Sequence, residues 1–197
     1  MTTTLFTNAH IATGEPGSTA ASTLPLQDIL VTDGVFTAFG PGLAQQYEAQ
    51  GGDLAAIEVV DLGGKLVCPP FCDTHLHLDY VFTARKPGAV NESGTLFEGI
   101  QRWSETKSDL TVDEIKQRAK IGIKKEMLHG VQLIRSHADV TDPNLTSLKA
   151  LLELKEELKD TVTLQIVSFP QEGMYSYEGP HGESGADLVE EGLKMGA

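Results

Sequence analysis

The pattern of apolar and polar positions changes its period near residue 70. Before that point, short apolar runs alternate with turn residues. Leu5 to Ile11 predicts a strand. Asp28–Thr32 and Val35–Phe39 flank Asp33-Gly34, a strong two-residue hairpin signal, because both central positions of a type I′ turn need φ > 0. Gly14 to Thr23 is rich in Gly, Ser and Thr, carries Pro16, and predicts a loop. Leu43 to Gln50 predicts a short helix stopped by Gly51-Gly52. Ile57 to Leu62 predicts another strand, turned by Gly63-Gly64. The run Lys65-Leu66-Val67-Cys68 ends at Pro69-Pro70. Residues 1–70 therefore form a small β segment.

From residue 71 strands alternate with helices. The pattern predicts a strand over 72–78, then a long connection over 79–110; structureless connections of that length inside a compact domain are usually functional. Thr111-Val112-Asp113-Glu114 is a capping box, with Thr111 as N-cap and Glu114 three positions on. The helix that follows runs to His129 and stops at Gly130. Val131 to Asp139 is the second strand. Asp142-Pro143 opens the next helix, since Pro suits a first turn, and Leu145, Leu148, Leu151, Leu152, Leu154 and Leu158 form its apolar stripe. Thr161 to Ser168 is the third strand and Ala186 to Met195 the third helix. Three such units with right-handed crossovers give an α/β fold with a parallel sheet over residues 71–197.

Composition narrows the partners. The chain has 197 residues, 40% hydrophobic and 22% charged, ordinary for a soluble domain. A net charge of −13 argues against binding a nucleic-acid backbone or an anionic membrane, both of which need clustered Lys and Arg. No apolar run approaches a membrane span, and Met1 to Phe6 lacks the basic and long apolar regions of a secretory signal. Cys68 and Cys72 exclude a disulfide scaffold by count. A C-x3-C zinc pair would need further soft ligands nearby, so both are read as strand-associated thiols in a reducing, cytoplasmic setting.

The candidate chemistry centres on Phe71-Cys72-Asp73-Thr74-His75-Leu76-His77-Leu78-Asp79. In a strand, His75 and His77 share a face, with Cα atoms roughly 6.5 Å apart. Two imidazoles at that spacing can converge on one metal ion, and neutral imidazole suits Zn, Fe, Cu or Ni. A bare HxH is more often two ordinary histidines. The position at the end of a buried-looking strand, between Asp73 and Asp79, raises the metal reading.

This stretch resembles the first metal-binding strand of the amidohydrolase superfamily, and specifically its cytosine deaminase-like branch. Three further segments carry the resemblance: Ser93-Gly94-Thr95-Leu96-Phe97-Glu98-Gly99-Ile100 with Arg102-Trp103, then Arg135-Ser136-His137-Ala138-Asp139-Val140, then Phe169-Pro170-Gln171-Glu172-Gly173. It covers residues 55–197 well and the first 55 loosely. It implies the first three βα units of a (β/α)8 TIM-type barrel over 71–197, preceded over 1–70 by an incomplete β-sandwich segment. It also implies that the natural chain continues beyond Ala197 into the remaining strands.

Further implications of the resemblance concern function. They are hydrolytic deamination of cytosine to uracil and ammonia, a place in pyrimidine metabolism, and one divalent metal ion (Fe or Zn) held by His75 and His77. The remaining ligands and the proton-handling residues fall beyond residue 197, so no catalytic residue is expected within this chain, which alone is expected to be inactive. Gln171 is implied to hydrogen-bond the base, its carboxamide offering two donors and an acceptor. The 93–100 loop would lie over the pocket, with Leu96 offering a main-chain contact. Trp103 is read as core, and Glu172, His137 and Asp139 as pocket lining or support for the ligands. His10, His129 and His181 are read as solvated. The partner is a pyrimidine base or similar heterocycle, and a homo-oligomer of the complete protein is left open. Other substrates of the superfamily, such as creatinine, isocytosine or a triazine, remain alternatives, as does a non-catalytic fragment that binds only metal or a partner. The zinc deaminases with H-x-E and P-C-x-x-C are set aside, because His137-Ala138-Asp139 carries the wrong acid and no C-x-x-C follows.

Overall fold

A computed structural model describes residues 2–12 and 24–197; the loop expected over Gly14–Thr23 lies outside them. The chain divides into two compact units, Met1–Pro69 and Pro70–Ala197.

In the first unit, strands β1 (Thr3–Ile11), β2 (Leu26–Thr32), β3 (Val35–Gly40), β4 (Glu58–Asp61) and β5 (Leu66–Val67) form one mixed sheet, and helix α1 spans Leu43–Ala49. The order is β3-β2-β1-β4, with β5 pairing the far end of β1. Among the described residues the β segment is one five-stranded mixed sheet. The hairpin forms as the turn chemistry demands: Thr32 pairs with Val35, and Asp33 and Gly34 sit at φ 49° and 78°. Strand β1 carries a bulge between Phe6 and Ala9. Asn8 within it takes φ 58°, its N–H donating to Asp28 and its amide to Asp61. His10 is half-buried rather than solvated, because its ring packs by the Gly64 turn.

The second unit holds a three-stranded parallel sheet, β6 (Phe71–Leu76), β7 (Val131–Asp139) and β8 (Thr163–Phe169), in the order β6-β7-β8. Helices α3 (Val112–Leu128), α4 (Thr146–Glu157) and α5 (Gly185–Met195) pack on it, α3 and α4 against β7, α4 and α5 against β8. Strand alternation decides the covered face: Ile134, Ser136 and Ala138 of β7 and Leu164, Ile166 and Ser168 of β8 are buried, while Leu133, Arg135 and Gln165 are exposed on the other side. Helix α3 meets the core through Ile115, Ala119, Gly122 and Ile123, and α4 through Leu148, Leu151 and Leu154. The capping box at Thr111 and Glu114 is present, and a second forms between Ser184 and Asp187 at the start of α5. The molecule is mixed α/β with parallel pairing, as the βα pattern requires.

Two expectations fail locally. The connection over 79–110 is not structureless, for it contains a 12-residue helix, α2 (Leu96–Lys107), entered from a Thr95 N-cap. Its start was legible as Thr95-x-x-Glu98, but Glu98 turns back to accept from the N–H groups of Glu92 and Ser93 instead of closing a full box. The helix after β7 begins at Thr146, not at Asp142-Pro143. The Asp142 carboxylate accepts from the N–H groups of Asn144 and Thr146, and Leu145 adopts φ 51°, so this stretch is a turn that delivers the chain to the helix.

Candidate functional site

The expected strand over 72–78 ends at Leu76, and His77 lies just past it. The pairing of β6 with β7 shifts register between Asp73 and Leu76, an irregularity that re-aims side chains at a strand end. Asp73 holds the turn by accepting from the His75 N–H at 2.9 Å. The next residues are anchored from below: the Leu78 N–H donates to the buried Ser136 hydroxyl, and Arg118 of α3 donates to the carbonyls of Asp79 and Val81.

This frame brings the two imidazoles together. The Nε2 atoms of His75 and His77 lie 3.3 Å apart. The other nitrogen of His77, Nδ1, lies 2.9 Å from the carbonyl oxygen of His137. A carbonyl can only accept, so Nδ1 carries the proton and the lone pair of Nε2 is directed at the shared space. Burial pulls the pKa of His77 down to about 4, so the ring is neutral at pH 7. Two bonds of ~2.05 Å from a tetrahedral metal place their donor atoms ~3.3 Å apart, which is the separation observed. The pair therefore fits two ligands of one ion. Among the described residues no group of three or more His, Cys, Asp or Glu could hold a metal.

Aromatic rings enclose the pair. His137 stacks on His75 at 4.0 Å between centroids, Tyr80 stacks on His77 at 4.5 Å, and Phe169 presents its edge to His77 and His137. Burial holds the His137 ring below its ordinary pKa. It also pushes the Asp79 carboxyl up to about 7; this carboxylate accepts from the Asp139 N–H, and its other oxygen is 3.9 Å from His77 Nδ1.

A cavity of about 770 Å³ opens beside the histidines. His75, His77, Phe169 and Gln171 line it, together with Leu96, Ile100 and Trp103 of α2. The structure thus gathers His75, His77, Gln171 and Leu96 around one space, although Leu96 is a helix N-terminal residue, 74% exposed, and not part of a covering loop. Trp103 is buried, as a core residue would be, yet its ring also forms cavity wall. Asp139 and Glu172 do not line the cavity. Asp139 is 1% exposed and accepts from Trp103 and Lys107, while Glu172 accepts from Ser104 and Lys107. Lys107 went unnoticed in the sequence because nothing local separates it from the other helix lysines. His129 and His181 are exposed, and Cys68 and Cys72 are free, exposed thiols.

The amidohydrolase family model matches residues 58–192. The chain belongs to the amidohydrolase family. Within that family it is similar to 5-methylcytosine deaminase from Klebsiella pneumoniae, solved with 5-fluorocytosine, at 39% identity and a TM-score of 0.79, over 98% of this chain and 41% of that one. N-isopropylammelide isopropyl amidohydrolase of Pseudomonas sp. (strain ADP) is 35% identical over 120 residues, 59% of this chain and 30% of the relative. A pterin deaminase of Rhizobium rhizogenes is 27% identical over 152 residues, 75% of this chain and 32% of the relative. The chain thus spans about a third of the length of these curated amidohydrolases. No helix among the described residues is long and apolar enough to cross a membrane.

Proposed function

We propose that this chain is part of a metal-dependent deaminase acting on the exocyclic amine of cytosine or a closely similar pyrimidine, in a cytoplasmic setting, and that it supplies the first three βα units of a (β/α)8 barrel. The observation that carries the reading is the placement of two converging Nε2 atoms and the Gln171 carboxamide around one cavity. The likeness to a 5-methylcytosine deaminase over nearly the whole chain supports it.

His75 and His77 are the residues that hold the ion, iron or zinc. When bound, a divalent metal supplies Lewis-acid activation of water for hydrolysis at neutral pH. The His137 carbonyl keeps His77 in the tautomer that can bind, and burial keeps the ring free of a competing proton. Phe169 and Tyr80 cover the flanks of His77 and exclude water there. Gln171 orients the heterocycle through its amide donor and acceptor, and the exposed start of α2 at Leu96 offers a main-chain contact to it. No residue of this chain is assigned the proton transfers.

A second reading, hydrolysis of an amine on a triazine ring, is favoured by the 35% identity to N-isopropylammelide isopropyl amidohydrolase. Ammonia or amine release by the full-length protein from cytosine, 5-methylcytosine, isocytosine, creatinine and N-isopropylammelide separates the two. The expected result is the highest kcat/KM with a cytosine. Turnover of the triazine with none of either cytosine transfers the assignment to the second reading.

A further inference from the structure

Beneath the cavity lies a polar cluster that the proposed chemistry does not use. The Asp139 carboxylate accepts from five donors. On Oδ1 these are the N–H and hydroxyl of Thr141, at 2.8 and 2.5 Å, and the Gln171 N–H at 3.3 Å. On Oδ2 they are the indole N–H of Trp103 at 2.7 Å and the Lys107 ammonium at 3.0 Å. Lys107 also donates to the Thr141 hydroxyl at 2.9 Å and to Glu172, and the Tyr177 ring sits 5.9 Å from its Nζ. Glu172 in turn accepts from Ser104 at 2.9 Å.

The pattern has a direction. Trp103, Ser104 and Lys107 fall on one face of α2, at spacings that one helix face presents together. Their partners, Asp139, Thr141 and Glu172, sit where β7 and β8 end. One buried carboxylate thus holds the helix that forms the α2 wall of the cavity and the backbone of Gln171, which forms another. A charge-assisted, largely dry network keeps its geometry better than apolar contact alone, because every donor loses a full bond if it moves.

We propose that Asp139 and Lys107 form a clamp that sets the spacing between the α2 wall and the Gln171 wall, and so determines which ring the cavity admits. Both act as positioning residues, touching neither metal nor heterocycle; the selectivity half of the proposal rests on the functional reading above. Apolar replacement of Lys107 lets α2 lift from the strand ends, while His75, whose N–H is held by Asp73, and His77, held by the His137 carbonyl and followed by residues anchored on Ser136 and Arg118, stay in place.

Trp103 is the single tryptophan of the chain and reports the clamp without any turnover. The experiment compares Lys107→Met with parent in the full-length protein, using Trp103→Phe to isolate this indole's emission. Lys107→Arg is the conservative rescue. Lys107→Met combined with Asp139→Asn removes both charges, avoids leaving a lone buried carboxylate, and serves if the single variant does not fold. The expected result is red-shifted Trp103 emission, unchanged metal content, a KM for cytosine raised about tenfold with kcat within about threefold, and a changed ratio of cytosine to 5-methylcytosine turnover. Arg at position 107 restores the emission. Parent-like emission and KM in Lys107→Met, or metal lost in step with affinity, overturns the clamp. If neither parent nor variant acts on any heterocycle, the functional reading fails, and the emission shift alone decides whether α2 is clamped.

Discussion

His77 shows how much one side chain depends on its surroundings. Its Nδ1–H is committed to a backbone carbonyl of the neighbouring strand, its Nε2 faces His75, and burial keeps it neutral. His77→Ala is expected to lose bound metal and ammonia release together in the full-length protein, with little change in far-UV circular dichroism. Metal analysis after dialysis, run beside the activity assay, checks this; full activity in the variant removes the ligand assignment. The pairing of His75 with His77 was legible because a two-residue spacing is itself a strand property. The stacking of His137 on His75 was not, since it joins positions on separate strands.

At the scale of elements, α2 and α5 carry the most testable features. The Ser93 hydroxyl and the N–H groups of Ser93 and Glu92 hold the Glu98 carboxyl down to about 2. Its folded value lies below the ordinary 4.5, so its contribution is fully present above that value and drains away as pH falls through about 2. Carboxyl carbon NMR is expected to show Glu98 still ionised at pH 3; a midpoint near 4.5 would show the loop is not held this way. In α5, a Cβ added at Gly192 would meet Ser168 Oγ at 2.4 Å and Leu148 Cδ2 at 3.0 Å. Gly192→Ala gains ~1 kcal/mol of helix propensity but overpacks the seam with β8 and α4 by ~1–3 kcal/mol, so a lower Tm is expected in thermal unfolding. Helix α3 could be read from its capping box and α4 from its apolar stripe. Helix α2 was obscured because Trp103 is its one fully buried residue, while its other large apolar side chains, Leu96, Phe97 and Ile100, are exposed or only half-buried.

For the whole molecule, function turns on the number of donors gathered at one point. The described residues bring together two imidazoles and no third ligand. A polypeptide limited to residues 1–197 is therefore expected to release no ammonia from cytosine above a His75→Ala control, and to lose added metal on dialysis. Ammonia assay and metal analysis of the purified chain test this, and activity above the control would show that two histidines suffice.

What the sequence determined by itself is local. The Asp33-Gly34 hairpin, the Thr111 capping box, the alternation that buries one face of β7 and β8, and the HxH pair all depend on residues a few positions apart, where backbone geometry alone sets which side chains meet. The tertiary structure decided everything that required distant residues to share a partner. Trp103 and Asp139 are 36 positions apart and Lys107 and Glu172 are 65 apart, yet they close one network. No spacing rule encodes such a meeting, because it is the packing of a helix across strand ends that buries the charges and obliges them to find one another.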